Sequence, residues 1–447
     1  MAEQPFDYQL TKLDFITSNG QIIDLRAIFT QMDIFQDIFA NVMSGKLIIT
    51  DSTNIFGHLP VSGSEFIHII YDKLNRNMPI EKIFRVYNRN KIIQDKPTNQ
   101  TVVLSFCSEE LLVSKSLTTS KVYSNMLVSD MVKDIGLNVL KIDPINFKNE
   151  NIEQTIGLQN IIIPYYNPIQ SLNWLATKAI SSYVGASFLF YENNKGYNFR
   201  SIQSLMDSPQ IVATYNYNIK NIDRLDVNTD FYDVSKYEII KTPDTLEGLM
   251  TGRFSGKLMT LDILRQKFTT LELNGNDLFD ASEKLSEGRP FSDLANRLNT
   301  TTFDSYGSYR KFYPTNIGQD QAQYISGKQE IHPSNIEKWL ILRNSQLMQL
   351  LGLRIKLIVP GNNALNVGDI IQFNIPSIEP QTGQEESSLQ RKLDPFFSGR
   401  YMVTALRDKI DLGSYETIIE ICRDTLSKNL PNAANQNSAM REDYVNA

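Results

Sequence analysis

The clearest structural signal in the sequence is the stretch from Asn167 to Ile202, which reads NPIQSLNWLATKAISSYVGASFLFYENNKGYNFRSI. Asn167 can cap a helix, and Pro168 suits the first helical position, where a missing N–H costs nothing. Two strand-like runs follow, Ala186 to Tyr191 and Tyr197 to Ile202, with the turn sequence Asn-Asn-Lys-Gly between them. Apolar side chains recur before the hairpin at helical spacing: Ile169, Leu172, Ala176, Ala179 and Tyr183. The stretch therefore predicts a helix whose apolar stripe packs on a β-hairpin.

Short strands predominate on both sides of this stretch. The 447 residues include 20 Tyr and 23 Phe, and aromatic residues favour strands. Strand-like runs separated by turn residues extend from Tyr8 to Phe106 and resume after Gln210, a spacing typical of small antiparallel barrels or sandwiches. Two further helices are predicted, from Ser124 to Ile135 and from about Pro333 to Leu351, where Gly352 ends the apolar face.

One short segment occurs twice. Ser44–Asp51 reads SGKLIITD and Ser255–Asp262 reads SGKLMTLD, so five of eight positions match in register. Each copy begins a strand after a turn and ends at a polar break. The repetition predicts two related barrels in which Gly45 and Gly256 occupy equivalent positions. Two barrels per chain would let three chains form a ring with pseudo-sixfold symmetry.

Together these patterns predict a mainly β (α+β) protein with two tandem antiparallel β-barrels. Between residues 276 and 332 apolar periodicity is weak, which predicts an irregular excursion. The predicted parts are a first barrel (1–110), an α+β domain with the helix and hairpin (111–209), a second barrel (210–275 and 340–425), the excursion ending in a helix (276–339) and a C-terminal tail (426–447).

The composition excludes several classes of protein. A formal net charge of −6 argues against dedicated nucleic-acid binding, because an acidic protein repels phosphate backbones. No apolar run reaches the roughly 18 residues needed to span a bilayer, and Met1 to Leu10 lacks the features of a secretory signal. Cys107 and Cys422 lie in apolar, strand-like runs, which predicts buried free thiols.

No catalytic or metal-binding set emerges. His68 lies on an apolar strand, as structural histidines do, and His58 and His332 lack Cys or His partners at zinc-ligand spacing. Glu109–Glu110 is predicted on a strand, where neighbours point to opposite faces, and Glu385–Glu386 lies in a polar loop; neither pair suits glycoside hydrolysis. No glycine-rich phosphate loop is present. Catalytic, cofactor-binding and metal-binding residues are all predicted to be absent.

Three segments resemble, in the same order, the baseplate hub family of contractile-tailed, T-even-like phages. The segments are residues 43–52 (MSGKLIITDS) with Leu59-Pro60, residues 163–168 (IPYYNP) continuing through the hairpin to Leu205, and residues 359–362 (VPGN) with 367–369 (VGD), 374–376 (NIP), 398–401 (SGRY) and Arg423-Asp424. Two features depart from the family pattern: Asp408 stands where a basic residue or histidine is expected, and the loop from Ile378 to Phe397 is long.

The resemblance implies a structural protein that is not an enzyme and needs no cofactor. It implies a homotrimer of tail-tube-like barrels that joins the sixfold tail tube to the threefold central spike, with DNA leaving through its bore. The implied partners are the spike protein, the tail tube protein or a tube-initiating ring, and baseplate wedge proteins, with no specific DNA binding and no membrane insertion. The implied location is the tail baseplate of the virion, after assembly in the host cytoplasm.

Two alternatives remain open from the sequence. One is the equivalent hub of a bacteriocin or secretion-type contractile injection machine, built on similar barrels. The other is a tail-associated cell-wall hydrolase, which the missing acid–base set disfavours. For the hub, the bore is expected to be acidic or neutral, because clustered Lys and Arg would bind the phosphates of DNA and slow its passage.

Overall fold

The computed structural model describes most of the chain. The described residues are 6–52, 55, 61–73, 78–96, 99–183, 185–217, 232–263, 266–286, 309–315, 323–325, 328–330, 339–377 and 393–426. Several sequence predictions lie outside these residues: those on His58, His332 and Glu385–Glu386, on most of the loop from Ile378 to Phe397, and on the tail beyond Leu426.

The N-terminal part of the chain consists of strands joined by turns. The strands are β1 (Tyr8–Ile16), β2 (Ile22–Asp24), β3 (Phe29–Asp37), β4 (Ser44–Asp51), β5 (Phe66–Lys73), β6 (Ile80–Lys96) and β7 (Asn99–Cys107). Burial alternates along them, as in β4, where Leu47 and Ile49 are buried and Lys46 and Thr50 are exposed. This period of two places one side of each strand in a hydrophobic core.

The middle of the chain mixes helices and strands. Its elements are α1 (Glu109–Ser116), β8 (Val122–Met126), α2 (Val128–Asp134), β9 (Gln159–Ile162), α3 (Pro168–Lys178), β10 (Phe188–Asn193), β11 (Gly196–Ser201) and α4 (Ile202–Met206). Between Val122 and Asp134 the structure corrects the sequence, which predicts a helix from Ser124. Val122–Met126 forms β8, paired with β9, and the helix begins only at Val128. It continues through a π-helical turn, Ile135–Val139.

The C-terminal part returns to strands. Its elements are β12 (Ile211–Asn216), β13 (Lys236–Lys241), α5 (Thr245–Thr251), β14 (Ser255–Asp262), β15 (Lys267–Asn274), α6 (Gly275–Ala281), β16 (Arg310–Thr315), β17 (Gln323–Ile325), β18 (Lys328–Glu330), α7 (Leu340–Leu350), β19 (Leu353–Pro360), β20 (Ile370–Asn374), β21 (Gly399–Asp411) and β22 (Tyr415–Arg423). Helix α7 lies within the predicted helix from Pro333 to Leu351, and residues 333–338 lie outside the described ranges.

A 13-stranded sheet joins the two ends of the chain. Its strand order is β13-β19-β22-β21-β3-β4-β7-β6-β5-β1-β2, with β20 on the first part of β21 and β12 parallel to β20. The N-terminal and C-terminal halves meet where β3 pairs antiparallel with β21, from Asp37 opposite Ala405 to Gln31 opposite Asp411. We call this pair of strands the seam.

Three hydrophobic cores lie beneath these elements. The N-terminal strands cover one core, which includes Leu47 and Phe106, and the C-terminal strands cover another, which includes Ile355 and Tyr401. The middle part has its own core around α2, α3 and the β10–β11 hairpin. The predicted mainly β fold with an α+β middle is therefore confirmed.

The helix and hairpin predicted from Asn167 to Ile202 are confirmed. The Asn167 side chain accepts a hydrogen bond from the Gln170 N–H, and the Gln170 side chain bonds back to the Asn167 N–H, so the helix start is capped as its sequence indicates. Four members of the predicted stripe, Ile169, Leu172, Ala176 and Ala179, are buried in the same core as the hairpin phenylalanines. The helix ends at Lys178, so Tyr183 lies beyond it, half-buried, and its hydroxyl donates to Asp207 at 2.8 Å.

The predicted equivalence of Gly45 and Gly256 is wrong. Gly45 lies in β4, between β3 and β7 of the 13-stranded sheet. Gly256 lies in β14, which pairs antiparallel with β15 and parallel with β16 in a separate three-stranded sheet. Residues 255–274, predicted in the second barrel, therefore belong to this small sheet. Strand β16, from the excursion predicted to be irregular, completes it.

The small sheet packs on helix α7 through Leu258 and Ile341, both of which are buried. The repeated Ser-Gly-Lys-Leu begins a strand in both places. It does not encode the neighbouring strands, because these come from distant parts of the chain.

Candidate functional site

The candidate catalytic residues of the sequence are dispersed in the structure. His68 Nε2 lies 2.8 Å from Glu81 Oε1, in a pair on neighbouring strands β5 and β6. Within the described ranges, no three His, Cys, Asp or Glu side chains lie close enough together to hold a metal ion. None of the described helices is long and apolar enough to cross a membrane.

Glu109 and Glu110 begin helix α1, so their predicted placement on a strand is wrong. Ser108 precedes them with extended backbone, and both carboxylates lie in the first helical turn, where the helix dipole favours negative charge. The Glu109 carboxylate accepts a hydrogen bond of 2.9 Å from the Arg85 guanidinium. The two carboxylates therefore stabilise the start of α1, and the hydrogen bond from Arg85 to Glu109 links α1 to β6.

Both cysteines are buried free thiols, as the sequence predicts. Burial raises the pKa of Cys107 to about 11 and that of Cys422 to about 12. At neutral pH both therefore remain protonated, and a protonated thiol is a poor nucleophile and a poor metal ligand.

The largest organised polar feature is one side of the 13-stranded sheet. Along β19, β22, β21, β3 and β4 the side chains opposite the hydrophobic cores alternate with buried ones. We call this side the compensated face. Its charged side chains are five basic and five acidic ones: Arg354, Lys356, Arg407, Lys409, Lys46, Glu416, Glu420, Asp411, Asp33 and Asp37. The face is therefore formally neutral across these five strands.

Ion pairs connect neighbouring strands of the compensated face. Arg354 on β19 donates to Glu420 on β22 with an N–O distance of 2.6 Å. Across the seam, a guanidinium nitrogen of Arg407 lies 2.9 Å from Asp33 Oδ1. Both ion pairs are diagonal: Arg354 lies directly opposite Cys422, two residues from Glu420, and Arg407 lies directly opposite Phe35, two residues from Asp33. Residues two positions apart on a strand project on the same side, so each pair can meet across its two strands.

Lys409 links two acidic groups in the same way. Its ammonium lies 3.3 Å from Glu416 on β22 and 3.3 Å from Asp411 on its own strand. Pairs as exposed as these contribute only about 0–1 kcal/mol each to stability. Their larger effect is electrostatic, because each carboxylate offsets the positive charge of the Lys or Arg beside it.

The pairing also affects individual pKa values. Burial alone would lower the pKa of Arg354, but the hydrogen bond and charge of Glu420 leave it above its ordinary value. Burial raises the pKa of Asp37, and the nearby negative charge of Glu420 raises it further. Arg354 therefore remains charged at every physiological pH and holds the Glu420 carboxylate on the face.

Beneath the seam lies a buried carboxylate, Asp408. Three hydroxyls donate to it at 3.0 Å: those of Tyr71 from β5, and of Tyr415 and Thr417 from β22. Burial raises the pKa of Asp408 to about 6, although the three hydroxyl bonds partly oppose the rise. Asp408 thus connects the N-terminal strands to the C-terminal ones in place of the basic residue expected from the family pattern.

The two ends of the main strand order are different edge strands, and β12 ends the side branch formed with β20. At one end, β13 pairs with β19 alone among the described strands, and Ile239 and Ile240 on it are exposed. At the other end, the three-residue strand β2 pairs with β1 alone among the described strands. An edge strand presents unpaired backbone N–H and C=O groups to any chain that approaches it.

The compensated face is a functional feature that was not predicted from the sequence. A signal for it exists in the sequence, since charged residues an even number of positions apart occur in three of its strands. Arg354 and Lys356 are two positions apart, as are Arg407 and Lys409, and Asp33 and Asp37 are four apart. Such spacing places charges on one side of a strand. The cancellation of charge is not visible in the sequence, because it depends on the register between strands.

Known proteins resemble the chain in sequence and in fold. No protein-family model matches it. The probable baseplate hub protein gp334 of Vibrio phage KVP40 is 21% identical over 410 residues, a match that covers 89% of this chain and 90% of the relative.

Two solved structures share the fold over nearly the whole chain. The tail protein from Neisseria meningitidis MC58 superimposes with a TM-score of 0.52 at 12% identity, covering 94% of this chain and 97% of that protein. The 43 kDa tail protein of prophage MuSo2 from Shewanella oneidensis gives a TM-score of 0.52 at 10% identity, covering 94% of this chain and 100% of that protein. The resemblance predicted from the sequence is thereby confirmed: this chain is similar in sequence to a probable phage baseplate hub protein and shares its fold with two tail proteins, one of them from a prophage.

Proposed function

We propose that the chain is the structural hub of a phage tail baseplate and that three copies form a ring around the path of the DNA. In this ring the compensated face lines the channel, one rim meets the sixfold tail tube and the other meets the threefold spike. The relationship to a baseplate hub protein supports the structural role. The neutrality of the compensated face is the observation that supports the channel.

A channel that lets DNA pass must not bind its phosphates tightly, and the pairing of charges on the compensated face suits this requirement. Each phosphate neutralised by Lys or Arg releases counterions and adds affinity, so a basic lining would hold the DNA. On the compensated face, by contrast, Arg407 and Lys409 are already paired with Asp33 and with Glu416. A phosphate would have to displace a carboxylate from each of these groups, so passing DNA finds no free cluster of cations on these strands.

The unequal sheet edges support a ring. If β13 of one copy meets the β1–β2 edge of the next, the contact is head-to-tail, and a head-to-tail contact closes into a ring when its rotation allows. The exposed Ile239 and Ile240 would be buried in this contact. Three copies are proposed because the family resemblance implies a trimer.

The two halves of the large sheet support two tube-like units in each chain. Each half has its own hydrophobic core, and the seam holds the halves side by side. We propose that residues 6–110 form one unit, and that β12, β13 and β19 to β22 form the other. Three such chains place six similar units around one axis, which matches a sixfold tube on one side and a threefold spike on the other.

The mass of the purified protein tests the ring. A monomer has a mass of 51.1 kDa, so light scattering after size exclusion is expected to give about three times that value. Placing a charge in the edge contact, with Ile239→Lys, is expected to shift the distribution towards monomer, because the apolar edge becomes costly to bury. Ile145→Lys, at an exposed position in the middle part of the chain, is the matched control. A monomer at every concentration, with the spike protein present, would refute the ring.

DNA binding tests the channel. The wild-type trimer is expected to show no appreciable affinity for duplex DNA at about 150 mM salt, close to physiological ionic strength. The double variant Glu416→Lys and Glu420→Lys removes the carboxylates that pair with Arg354 and Lys409 and places two further cations on the compensated face. It is therefore expected to bind DNA in a salt-sensitive way. The control variant Glu150→Lys and Glu283→Lys makes the same change in net charge at exposed positions outside the face.

Two results would contradict the channel. Tight, salt-sensitive DNA binding by the wild-type protein would favour a nucleic-acid-binding role. Equal binding by the face variant and its control would show that net charge alone governs the affinity, and that the compensated face has no special exposure to DNA.

A further inference from the structure

An open, mostly apolar groove of about 340 Å³ lies beside the small sheet. Leu271 and Leu273 of β15 line it on one side, residues 180–183 of the middle part of the chain line it on the other, and Ile341 and Leu342 of α7 complete the lining. The volume falls in the range of about 300–1,000 Å³ that is typical of ligand pockets. Neither the channel nor the ring contact proposed above uses this groove.

Strand β15 is an edge strand of the small sheet. Among the described strands it pairs with β14 alone, and the free side of such a strand presents backbone N–H and C=O groups to an approaching chain. Leu271 lies directly opposite Leu258, which packs on Ile341 of α7. Leu271 and Leu273 therefore project on the same side of the sheet as Leu258, towards α7. The groove thus lies next to the free edge, on the side of the sheet that faces the protein.

An extended chain that paired with this edge would place its side chains alternately on the two sides of the sheet. Every second side chain would enter the groove, where Ile180, Ile341 and Leu342 offer aliphatic surface. The side chains between them would lie on the outer side, beside Phe268 and Thr270, which are both exposed. A free edge for the backbone, with a groove for alternate side chains, is the arrangement by which a sheet takes up a peptide strand.

The groove is acidic at Tyr183. The Tyr183 hydroxyl donates to Asp207 at 2.8 Å, and this hydrogen bond raises the pKa of Tyr183, as do the negative charges of Glu153 and Glu283. Glu153 also accepts a hydrogen bond of 2.6 Å from Ser181 in the groove wall. Among the described residues, none of these three carboxylates forms an ion pair with Lys or Arg. A basic side chain of a ligand would therefore find uncompensated negative charge at this point of the groove.

We propose that an extended segment of a partner baseplate protein docks in this groove and adds a fourth strand to the small sheet at β15. The segment carries aliphatic residues at every second position, which fill the groove, and a Lys or Arg that meets the carboxylates around Tyr183. A strand fits better than a compact ligand, because β15 offers backbone groups along eight residues, Lys267–Asn274. The small sheet thus attaches the hub to a partner, and the proposal rests on the baseplate role proposed above.

Peptide binding to the purified full-length protein tests the proposal. The probes are overlapping synthetic peptides of the spike, tube and wedge proteins of the same baseplate, together with peptides of this chain. At least one partner peptide, with alternate aliphatic residues and a Lys or Arg, is expected to bind with a Kd below about 1 mM. Methylation of its backbone nitrogens, one at a time, should weaken binding at every second position, because only alternate N–H groups of a strand face its neighbour.

Variants of the protein locate the site. Leu271→Lys places a charge in the groove wall at a position that is 37% exposed, and it is expected to weaken binding about tenfold or more. Asp207→Asn should weaken binding of the basic peptide several-fold and leave unchanged the binding of a peptide in which Gln replaces the Lys or Arg. Phe312→Lys, at an exposed position on the opposite edge strand β16, is the matched control. Unchanged thermal unfolding midpoints confirm that the variants fold.

Four outcomes overturn the proposal. If no peptide binds, the groove is not a docking site, and if only peptides of this chain bind, it is a contact between copies. An even response to N-methylation shows apolar contact without strand pairing. A loss of binding confined to Phe312→Lys moves the site to β16. A trimer that is inert to DNA but binds no peptide refutes this proposal alone, whereas a monomer that binds a partner peptide refutes the ring and leaves the groove site intact.

Discussion

Ser44–Asp51 and Ser255–Asp262 share five of eight residues, yet the structure places them in different surroundings. The first copy is an interior strand of the 13-stranded sheet, two strands from β21, with antiparallel neighbours on both sides. The second is the middle strand of a three-stranded sheet and has one antiparallel and one parallel neighbour. The comparison shows that a short segment specifies a strand and its inward side, whereas distant segments decide what that side meets.

The two copies differ most in what covers their leucines. Leu47 and Leu258 occupy the same place in the repeat, and both are fully buried. Leu47 belongs to the large N-terminal core, whereas Leu258 packs in a small cluster with Ile341 and a few partly buried side chains. Leu47 therefore contributes to the stability of a large core, whereas Leu258 contributes to the docking of the small sheet on helix α7.

Truncation of these leucines is expected to have the largest effect. Leu47→Ala should lower the free energy of unfolding by about 2–5 kcal/mol, because it leaves a cavity in a core that cannot collapse around it. Leu258→Ala should mainly loosen β14 to β16, with a smaller effect on global unfolding. Urea unfolding followed by hydrogen exchange of each sheet distinguishes these effects. Equal global losses would mean that the small sheet folds as part of the large one.

The next largest effect is expected from Asp408, which lies beneath the seam that joins the sheet containing the first copy to the C-terminal strands. Its pKa in the folded protein is raised to about 6, from an ordinary value of 3.8. The stability provided by the protonated form is therefore fully present below about pH 4 and is lost as the pH rises through about 6, on the order of 2–3 kcal/mol.

Asp408→Asn removes this titration, so the stability of the variant relative to wild type should rise between about pH 4 and pH 6 and then remain level. Unfolding midpoints in urea across this pH range measure the difference in stability between the variant and the wild type. The other carboxylates are the same in both proteins, so their contributions cancel in this difference. Glu272→Gln, in the small sheet, is the control. A difference that does not change with pH would show that Asp408 keeps the same protonation state throughout.

The two glycines of the repeat should respond differently to a methyl group. A Cβ on Gly45 would meet the Phe106 ring and the backbone carbonyl oxygen of Asp33, neither of which can move without disturbing the core or the seam strand β3. A Cβ on Gly256 would overlap less, since its nearest neighbour is Ile341 Cγ2 at 2.8 Å and the next is Tyr309 Cδ1 at 3.4 Å. Gly45→Ala is thus expected to cost about 1–3 kcal/mol in a thermal unfolding assay, and Gly256→Ala clearly less. The reverse order would show that β4 can shift within the sheet.

The smallest effect is expected at the lysines of the repeat. Lys257 pairs with Glu272 on β15 at 2.8 Å, whereas Lys46 is exposed on the compensated face opposite Ser105 and Asp33. Either Lys→Ala substitution should change the free energy of unfolding by no more than about 1 kcal/mol, because both groups are partly or fully solvated. Lys257→Ala should depend more on salt than Lys46→Ala in unfolding titrations. A larger loss at Lys46 would indicate a contact with another copy of the chain.

Local chemistry makes part of the fold predictable. Asn167 and Pro168 begin a helix in the sequence and in the structure, because a cap and a fixed φ act within a few residues. Its end is less predictable: the apolar spacing continues to Tyr183, but Ala179 is already extended, and its burial comes from packing and not from the helix. The error at Ser124 is similar, since Val122–Met126 becomes a strand only because Gln159–Ile162 lies beside it.

Little of the candidate site is predictable from the sequence beyond the resemblance to a family. The buried free thiols follow from apolar surroundings along the strand, and the structure shows them. The compensated face and the groove beside β15 depend on which residues face one another across strands and loops far apart in sequence. Asp33 and Arg407 are an example, because nothing local indicates that they pair.

The seam has a mechanical consequence. Over seven residue pairs, from Ala405 to Asp411, β21 is bonded to β3 on one side, while β22 holds it on the other. The hydrogen bonds of an antiparallel pair run perpendicular to the strands, so a pull along the strand direction loads all of them at once. Under such a pull, the hydrogen bonds between β3 and β21 must all break together. A pull perpendicular to the strands at one end would instead break them one after another. Force that enters one half of the sheet along this axis is therefore passed to the other half without separating them.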